Sequence, residues 1–218
     1  MPDIPHWNRR TTKGVWDRCY LADKLMPGAA RVEVDAELAK LDKKKAKGQK
    51  KSKQTNEGPE EAKVVITLQL EPVMIGAIVA RAVETARPAI DTHRHALEID
   101  LPDELISIEG DKTRLVQVIA NILHNAAKFT DPGGQIRLSV RREGQYAEIK
   151  VSDTGIGIAP ELLPRIFELF TQVHSKSERA QGGLGIGLAL VRRLTEMHGG
   201  TTTVHSEGVG RGAEFVVR

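Results

Sequence analysis

Glycine is concentrated toward the C-terminal end of this 218-residue chain, and that limits what the chain can fold into. Eleven of the 20 glycines lie at or beyond Gly155. One cluster, DTGIGI at residues 153–158, directly follows a strand-like run, and another, GGLGIG at residues 182–187, leads directly into a helical pattern. Glycine-rich approaches to a helix start expose backbone N–H groups that can hold phosphate oxygens. Neither cluster is a Walker A motif or a dinucleotide fingerprint, so each alone is a weak signal.

The apolar spacing around these clusters predicts strands and helices without strict βαβ alternation. Asp111 is the expected N-cap of the longest helix, Pro72 sits where the first helix can begin, and Pro88 is expected to stop it. The fold class indicated is α+β, a two-layer sandwich with one mixed sheet and its helices on one face. The predicted strands cover residues 64–70, 96–101, 136–140, 146–151, 201–205 and 213–217, and the predicted helices cover residues 73–86, 112–130, 162–170 and 187–198.

Charge divides the chain into two parts. The formal net charge is +3, but residues 1–63 hold 15 basic and 10 acidic residues, a net +5, whereas residues 64–218 hold 17 and 19, a net −2. Residues 40–53 carry eight lysines and one acid, a block that repels itself and has few apolar groups to bury. We therefore expect a basic, largely disordered extension over residues 1–62 and a globular domain over residues 63–218.

Cysteine usage and hydropathy indicate the compartment. Cys19 is the single cysteine, so an internal disulfide is excluded, which favours a reducing environment. The longest apolar stretch, residues 73–80, is too short to cross a bilayer, and the first residues lack a signal-peptide pattern. These features predict a cytoplasmic location and no membrane segment in this chain.

Two asparagines and a lysine on one predicted helix form the main candidate for metal and phosphate chemistry. Asn121 and Asn125 are four residues apart and therefore share a helix face, and Lys128 follows three residues later. Amide oxygens are hard ligands suited to Mg²⁺, which keeps several waters and shares substrate phosphates. A lysine on the same face can neutralise those phosphates.

Together these motifs resemble the GHKL ATPase superfamily, in particular the catalytic ATP-binding domain of bacterial sensor histidine kinases. The resemblance covers roughly residues 64–218, with the motifs in the family's order and spacing. Four ordered boxes are far more specific than any one of them. Residues 121–130 resemble the N box, 153–158 the G1 box, 164–170 the F box and 182–190 the G2 box, and residues 198–200 with 208–212 resemble the closing glycine pattern.

The resemblance implies a Bergerat-type fold, ATP and Mg²⁺ as ligands, and a role for each matched residue. Asp153 would accept a hydrogen bond from the adenine amino group. Asn125 would ligate Mg²⁺ with support from Asn121, Lys128 would contact phosphate, and residues 171–181 would form a lid. Leu184 departs from the small hydroxyl residue often found at its position. The remaining nucleotide-binding residues implied are Gly155, Gly157, Ile158, Phe170, Gly183, Leu184, Gly185, Ile186 and Gly187.

The same resemblance implies partners that this sequence does not supply. A complete histidine kinase has a helical dimerisation domain with a phosphoacceptor histidine, yet only His6 precedes the matched region, without helical context. We therefore expect the acceptor on a separate or missing dimerisation domain, with a response regulator downstream and no receiver domain after Arg218.

Two other classes of function stay open. One is another GHKL ATPase, or a serine kinase of the anti-sigma type. The gyrase, mismatch-repair and chaperone branches are disfavoured because they carry a carboxylate where Asn121 stands. The other is a nucleotide-binding module without kinase activity, or a basic segment with Trp7, Trp16 and Tyr20 that attaches to nucleic acid or an acidic partner. The favoured interpretation of that segment is a solvated tail without a nucleic-acid role.

Overall fold

The computed structural model describes residues 67–171 and 185–218. These residues form three α-helices, seven strands and one short 3₁₀ turn at Leu163–Arg165. The helices are α1 (Ile75–Thr92), α2 (Lys112–Phe129) and α3 (Gly187–Met197). The strands are β1 (Glu71–Met74), β2 (Ala96–Asp100), β3 (Ser107–Gly110), β4 (Gln135–Glu143), β5 (Tyr146–Asp153), β6 (Thr202–His205) and β7 (Ala213–Val217).

Five strands form a mixed sheet in the order β2-β4-β5-β7-β6. Strand β2 runs parallel to β4 and the remaining pairs are antiparallel. Alternation along β4 separates the two faces of the sheet: Ile136, Leu138 and Val140 are buried, whereas Arg137 and Arg141 are exposed. Helix α2 packs between α1 and α3. The prediction of an α+β fold with a mixed sheet is confirmed.

Local sequence signals account for the start of α2 and for the end of α3. Asp111 caps α2 as predicted, since its Oδ1 accepts a hydrogen bond from the Arg114 amide at 3.0 Å. Helix α2 buries residues three and four positions apart, including Ile119, Ile122 and Ala126. Helix α3 ends where Gly199 takes a left-handed φ of +75°, the conformation that glycine adopts at low cost.

The prediction for the first helix is wrong at both ends. Pro72 lies in β1, and α1 continues through Pro88 to Thr92. Pro88 leaves the carbonyl of Glu84 without its usual donor, but both residues lie on the exposed side of the helix, where water can replace the lost hydrogen bond. The burial of Ala86 and Ile90 on either side then keeps the helix together.

Three further predictions need correction. Residues 67–70 of the predicted strand 64–70 are not in a strand, and β1 follows them instead. This short strand pairs antiparallel with β3 in a separate two-stranded sheet, so the chain does not build a single sheet. The predicted helix over residues 162–170 is reduced to the 3₁₀ turn at residues 163–165, because this segment buries Ile166 but leaves Leu169 and Phe170 exposed.

Several predictions lie outside the described residues. They concern the extension over residues 1–62, the first part of the predicted strand at 64–66, most of the predicted lid, and Gly183 and Leu184. Among the helices of the described ranges, none combines the length and the apolar character needed to cross a membrane.

Candidate functional site

Asp153 ends β5, and the backbone around it fixes its carboxylate. Its Oδ1 accepts a hydrogen bond from the Gly155 amide at 2.8 Å, and in the sheet Asp153 is opposite Ala213 of β7. Burial raises the pKa of the Asp153 carboxyl above its ordinary value, while hydrogen bonds from the backbone N–H groups of Gly155 and Ala213 oppose that rise. An acidic group held in this way is a strong acceptor for one specific donor.

Two loops close around this carboxylate, and we call residues 153–158 together with residues 206–213 the base end. The Gly210 amide donates to the carbonyl of Ile156 at 2.7 Å, and the Gly212 amide donates to that of Gly155 at 3.1 Å. The Ile156 amide donates to the carbonyl of Phe129, the last residue of α2, at 3.0 Å. The G1-like segment is thereby joined to both the closing glycines and the helix that carries the asparagines.

The glycines of the base end are needed for contact between backbones. A Cβ at Gly157 would overlap the carbonyl oxygen of Gly208, and Gly157 also has a φ of +68°. A Cβ at Gly155 would overlap the carbonyl oxygen of Phe129. Ile158 is buried, with its side chain 6% exposed. Glycine is therefore needed at these positions because the protein's own loops pack closely there.

A second group of residues, which we call the phosphate end, comprises Asn121, Asn125, Lys128, Phe170 and residues 185–187. Asn121, Asn125 and Lys128 are all half-buried residues of α2. The Lys128 Nζ lies 4.9 Å from the centre of the Phe129 ring, a cation–π contact. The predicted alignment of the two amides and the lysine on one helix face is confirmed.

The F-like segment meets the start of α3 at Phe170 and Gly185. The Phe170 amide donates to the carbonyl of Gly185 at 3.0 Å, and both residues have positive φ, +65° and +67°. A Cβ at Gly185 would lie 2.8 Å from the carbonyl oxygen of Thr171. Phe170 is 66% exposed and Ile186 is also exposed, whereas Phe167 packs edge-on against Phe215 with ring centres 6.3 Å apart.

Helix α3 begins at Gly187. Among the described residues, and apart from its two chain neighbours and the nearby backbone of α3 itself, no heavy atom lies within 4 Å of a Cβ built at Gly187. Ile186 at the N-cap supplies no capping hydrogen bond from its side chain. The first N–H groups of a helix have no partner within the helix, and the dipole there favours negative charge. This end of α3 can therefore accept phosphate oxygens from the open side.

The residues present fit an adenine nucleotide with Mg²⁺. Asp153 offers an acceptor in a half-buried position, as an exocyclic amino group requires, and Gly187 offers an open cradle. Within residues 67–171 and 185–218, no three His, Cys, Asp or Glu side chains are grouped so that they could hold a metal. The amides of Asn121 and Asn125 are oxygen donors of the kind that Mg²⁺ accepts alongside phosphate oxygens.

Comparison with known proteins identifies the family to which this chain is similar. Residues 110–218 match the model of the histidine kinase-, DNA gyrase B-, and HSP90-like ATPase family. The circadian input-output histidine kinase CikA of Synechococcus elongatus is 36% identical over 152 residues, which are 69% of this chain and 20% of that protein. The sensor histidine kinase RcsC of Escherichia coli is 45% identical over 117 residues, 54% of this chain and 12% of that protein.

The fold of this chain is also similar to solved structures of histidine kinases. The mycobacterial sensor histidine kinase MprB superposes with a TM-score of 0.60 at 26% identity, covering 68% of this chain and 95% of that one. Full-length ShkA, determined in complex with AMPPNP, gives a TM-score of 0.60 at 34% identity over 70% of this chain and 31% of that one. The chain belongs to the family of histidine kinase-, DNA gyrase B-, and HSP90-like ATPases, and it spans about a fifth or less of the length of the two sequence relatives named above.

Sequence reasoning missed one residue of the base end, Ser206. Its side chain is buried, and its hydroxyl bonds to both loops that surround Asp153. A single serine after a strand carries no pattern of its own. The signal that could have found it is its position between a strand and the closing glycines, because buried loop backbone needs polar partners.

Proposed function

We propose that this domain binds Mg-ATP with the adenine at the base end and transfers the γ-phosphoryl group to a histidine on a dimerisation domain. The observation that carries the proposal is the half-buried Asp153 carboxylate, hydrogen-bonded at 2.8 Å by the Gly155 amide and joined through residue 156 to the end of α2. The family resemblance and the kinase relatives support it.

Asp153 would select the base. A carboxylate oxygen accepts the hydrogen bond that the adenine amino group donates, whereas guanine carries a carbonyl at the equivalent position and would leave two acceptors facing each other. The buried Ile158 and the loop contacts at Gly155 and Gly157 would hold that carboxylate in one position before the base arrives.

The phosphate end would orient the triphosphate. Asn125 would hold Mg²⁺ with Asn121 beside it, and the bound ion would neutralise charge on the transferring phosphoryl group. Lys128 would contact a phosphate oxygen, and the amides at Gly185, Ile186 and Gly187 would bind others, with Gly183 and Leu184 completing that loop. Phe170 would pack beside the nucleotide. Phosphoryl transfer depends mainly on such positioning and charge neutralisation.

The acceptor and the later partner would lie on other domains. The histidine would attack the γ-phosphorus, forming a P–N bond while the bond to the β,γ-bridging oxygen breaks, and ADP would leave. A response regulator would then take the phosphoryl group, in a cytoplasmic two-component pathway. Nothing in this scheme assigns nucleic-acid binding to residues 1–62.

Transfer from radiolabelled ATP to an added dimerisation domain tests the proposal. We expect label that is lost in acid and kept in base, as phosphohistidine requires, and no label when the acceptor histidine is replaced by glutamine. Acid-stable label would instead support a serine kinase of the same superfamily. ATP binding with no transfer to any dimerisation domain tried, including those of close kinase relatives, would contradict the kinase role and favour a nucleotide-binding module.

A further inference from the structure

Ser206 is a buried hydroxyl that connects two separate loops. It follows β6 and is 9% exposed. Its Oγ donates to the carbonyl of Gly212 at 2.6 Å and accepts from the Ile158 amide at 3.0 Å and from the Gly208 amide at 3.3 Å. One donor and two acceptor positions are all that a hydroxyl has, so every one of them is used.

These bonds lead directly to Asp153. The Gly212 amide donates to the carbonyl of Gly155 at 3.1 Å, and a Cβ at Gly212 would overlap the carbonyl oxygen of Asp153. The next residue, Ala213, is paired with Asp153 in the sheet, and its backbone N–H lowers the pKa of the Asp153 carboxyl. By fixing Gly212, Ser206 holds the backbone that in turn orients this carboxylate.

The hydrogen bond that Ser206 accepts from Ile158 connects it to the segment that contains Gly155. Ile158 is the last residue of the DTGIGI segment, and its amide is held by Ser206. The Gly155 amide, three residues earlier, donates to Asp153 Oδ1. Ser206 therefore ties together the two segments from which the backbone donors of Asp153 come. Without the hydroxyl, a buried N–H and a buried carbonyl would lose their shared partner.

We infer that Ser206 is a positioning residue that sets the preference of this site for adenine over guanine nucleotides, by holding Asp153 between its two backbone donors. The inference rests on the proposed function and assigns Ser206 no direct contact with the nucleotide. It predicts that loss of the hydroxyl damages recognition of the base and spares recognition of the phosphates.

Calorimetric binding of Mg-ATP, Mg-GTP and Mg-tripolyphosphate to wild type and Ser206→Ala tests this. We expect the Kd for ATP to rise about tenfold and the ATP-over-GTP preference to fall by a similar factor. The Kd for tripolyphosphate should stay within about twofold, since it has no base. The matched control is Thr195→Ala, which removes another buried hydroxyl, one that donates only to Val191 within α3 at 2.8 Å.

A measurement without nucleotide separates positioning from general loosening of the fold. The titration midpoint of the Asp153 carboxyl, followed by carbon NMR, should move further above its ordinary value in Ser206→Ala, because the backbone hydrogen bonds that oppose the effect of burial are loosened. It should stay unchanged in Thr195→Ala. If Ser206→Ala does not fold, Ser206→Cys keeps a similar size with weaker hydrogen bonding and should show the same losses to a smaller degree.

The outcomes are distinct. An unchanged ATP-over-GTP preference with an unchanged Asp153 titration overturns the inference, and so does an equal weakening of ATP and tripolyphosphate. Wild-type protein that binds no ATP overturns the proposed function and this inference with it. Wild type that binds ATP, with Ser206→Ala equal to it, overturns the inference alone.

Discussion

The base end and the phosphate end of the candidate site are built in different ways. At the base end, backbone meets backbone: Gly157 lies against Gly208, and Gly212 against Asp153, with no room for a Cβ. At the phosphate end, α2 carries half-buried side chains, and within the described part of the chain nothing outside α3 and the neighbours of Gly187 lies within 4 Å of a Cβ built there. Under the proposed function, recognition of the base would be prepared by the fold, whereas recognition of the phosphates would depend on side chains and helix ends.

This difference separates two kinds of mutational effect. Substitutions of Asn121, Asn125 and Lys128 should reduce activity with little loss of stability, because these side chains are only half-buried. Substitutions of the base-end glycines should cost stability, because an added Cβ must displace backbone. The predictions below test that separation, from the largest expected effect to the smallest.

Asn125→Ala should have the largest effect on phosphotransfer. Loss of the proposed metal ligand should lower the rate on the order of 100-fold or more, while the melting temperature changes little because the side chain is only half-buried. The measurement is single-turnover transfer from Mg-ATP to a dimerisation domain. Gln117→Ala, which removes another half-buried amide of α2, is the control and should keep nearly the wild-type rate. Equal rates for the two variants would contradict the role of Asn125.

Gly157→Ala against Gly144→Ala measures what backbone contact contributes at the base end. Both residues have positive φ, +68° and +60°, so the conformational strain is similar, but only at Gly157 would the added Cβ overlap a carbonyl oxygen. We expect the free energy of unfolding to fall by about 3 kcal/mol for Gly157→Ala and by about 1 kcal/mol for Gly144→Ala. Chemical denaturation followed by circular dichroism measures both, and equal losses would mean that strain alone is responsible.

The smallest expected effect is on how the stability of the protein changes with pH. Because burial raises the pKa of Asp153, the folded state takes up a proton more readily than the unfolded state does. The resulting destabilisation of the folded state is complete at pH values above the raised pKa. It disappears as the pH falls to the ordinary pKa of the carboxyl. Nucleotide-free Asp153→Asn should therefore melt slightly above wild type at neutral pH, and the difference should shrink on acidification. Calorimetric melting across this range checks it, and a lower melting temperature for the variant at neutral pH contradicts it.

Local sequence signals predicted the parts of the fold that local chemistry determines. The Asp111 cap, the two strands that become β4 and β5 and the end of α3 each depend on residues within a few positions of one another, and all three predictions are confirmed. The prediction for Pro88 was wrong because burial of Ala86 and Ile90 outweighs one hydrogen bond that water can replace. No local pattern reports how much burial a helix gains in the finished fold.

The candidate site shows the same division between features set by nearby residues and features set by the finished fold. Spacing alone placed Asn121, Asn125 and Lys128 on one helix face, whereas Asp153 was singled out through the resemblance of residues 153–158 to the G1 box. The reason for the glycines at 155 and 157 lies in residues 129 and 208, which are distant in sequence. Ser206 was missed for the same reason, because its hydrogen-bond partner Ile158 is 48 residues away. Such partners become visible only when the strands have brought them together.

Binding of Mg-ATP to wild type and Asp153→Asn, measured by calorimetry at neutral pH, tests the central claim most directly. The account predicts a saturable wild-type isotherm and an affinity roughly 10 to 100 times weaker for the variant, since a hydrogen bond to a charged group is lost. Tripolyphosphate should bind both proteins alike. Equal affinity of the two proteins for Mg-ATP would contradict the assignment of Asp153 to the adenine.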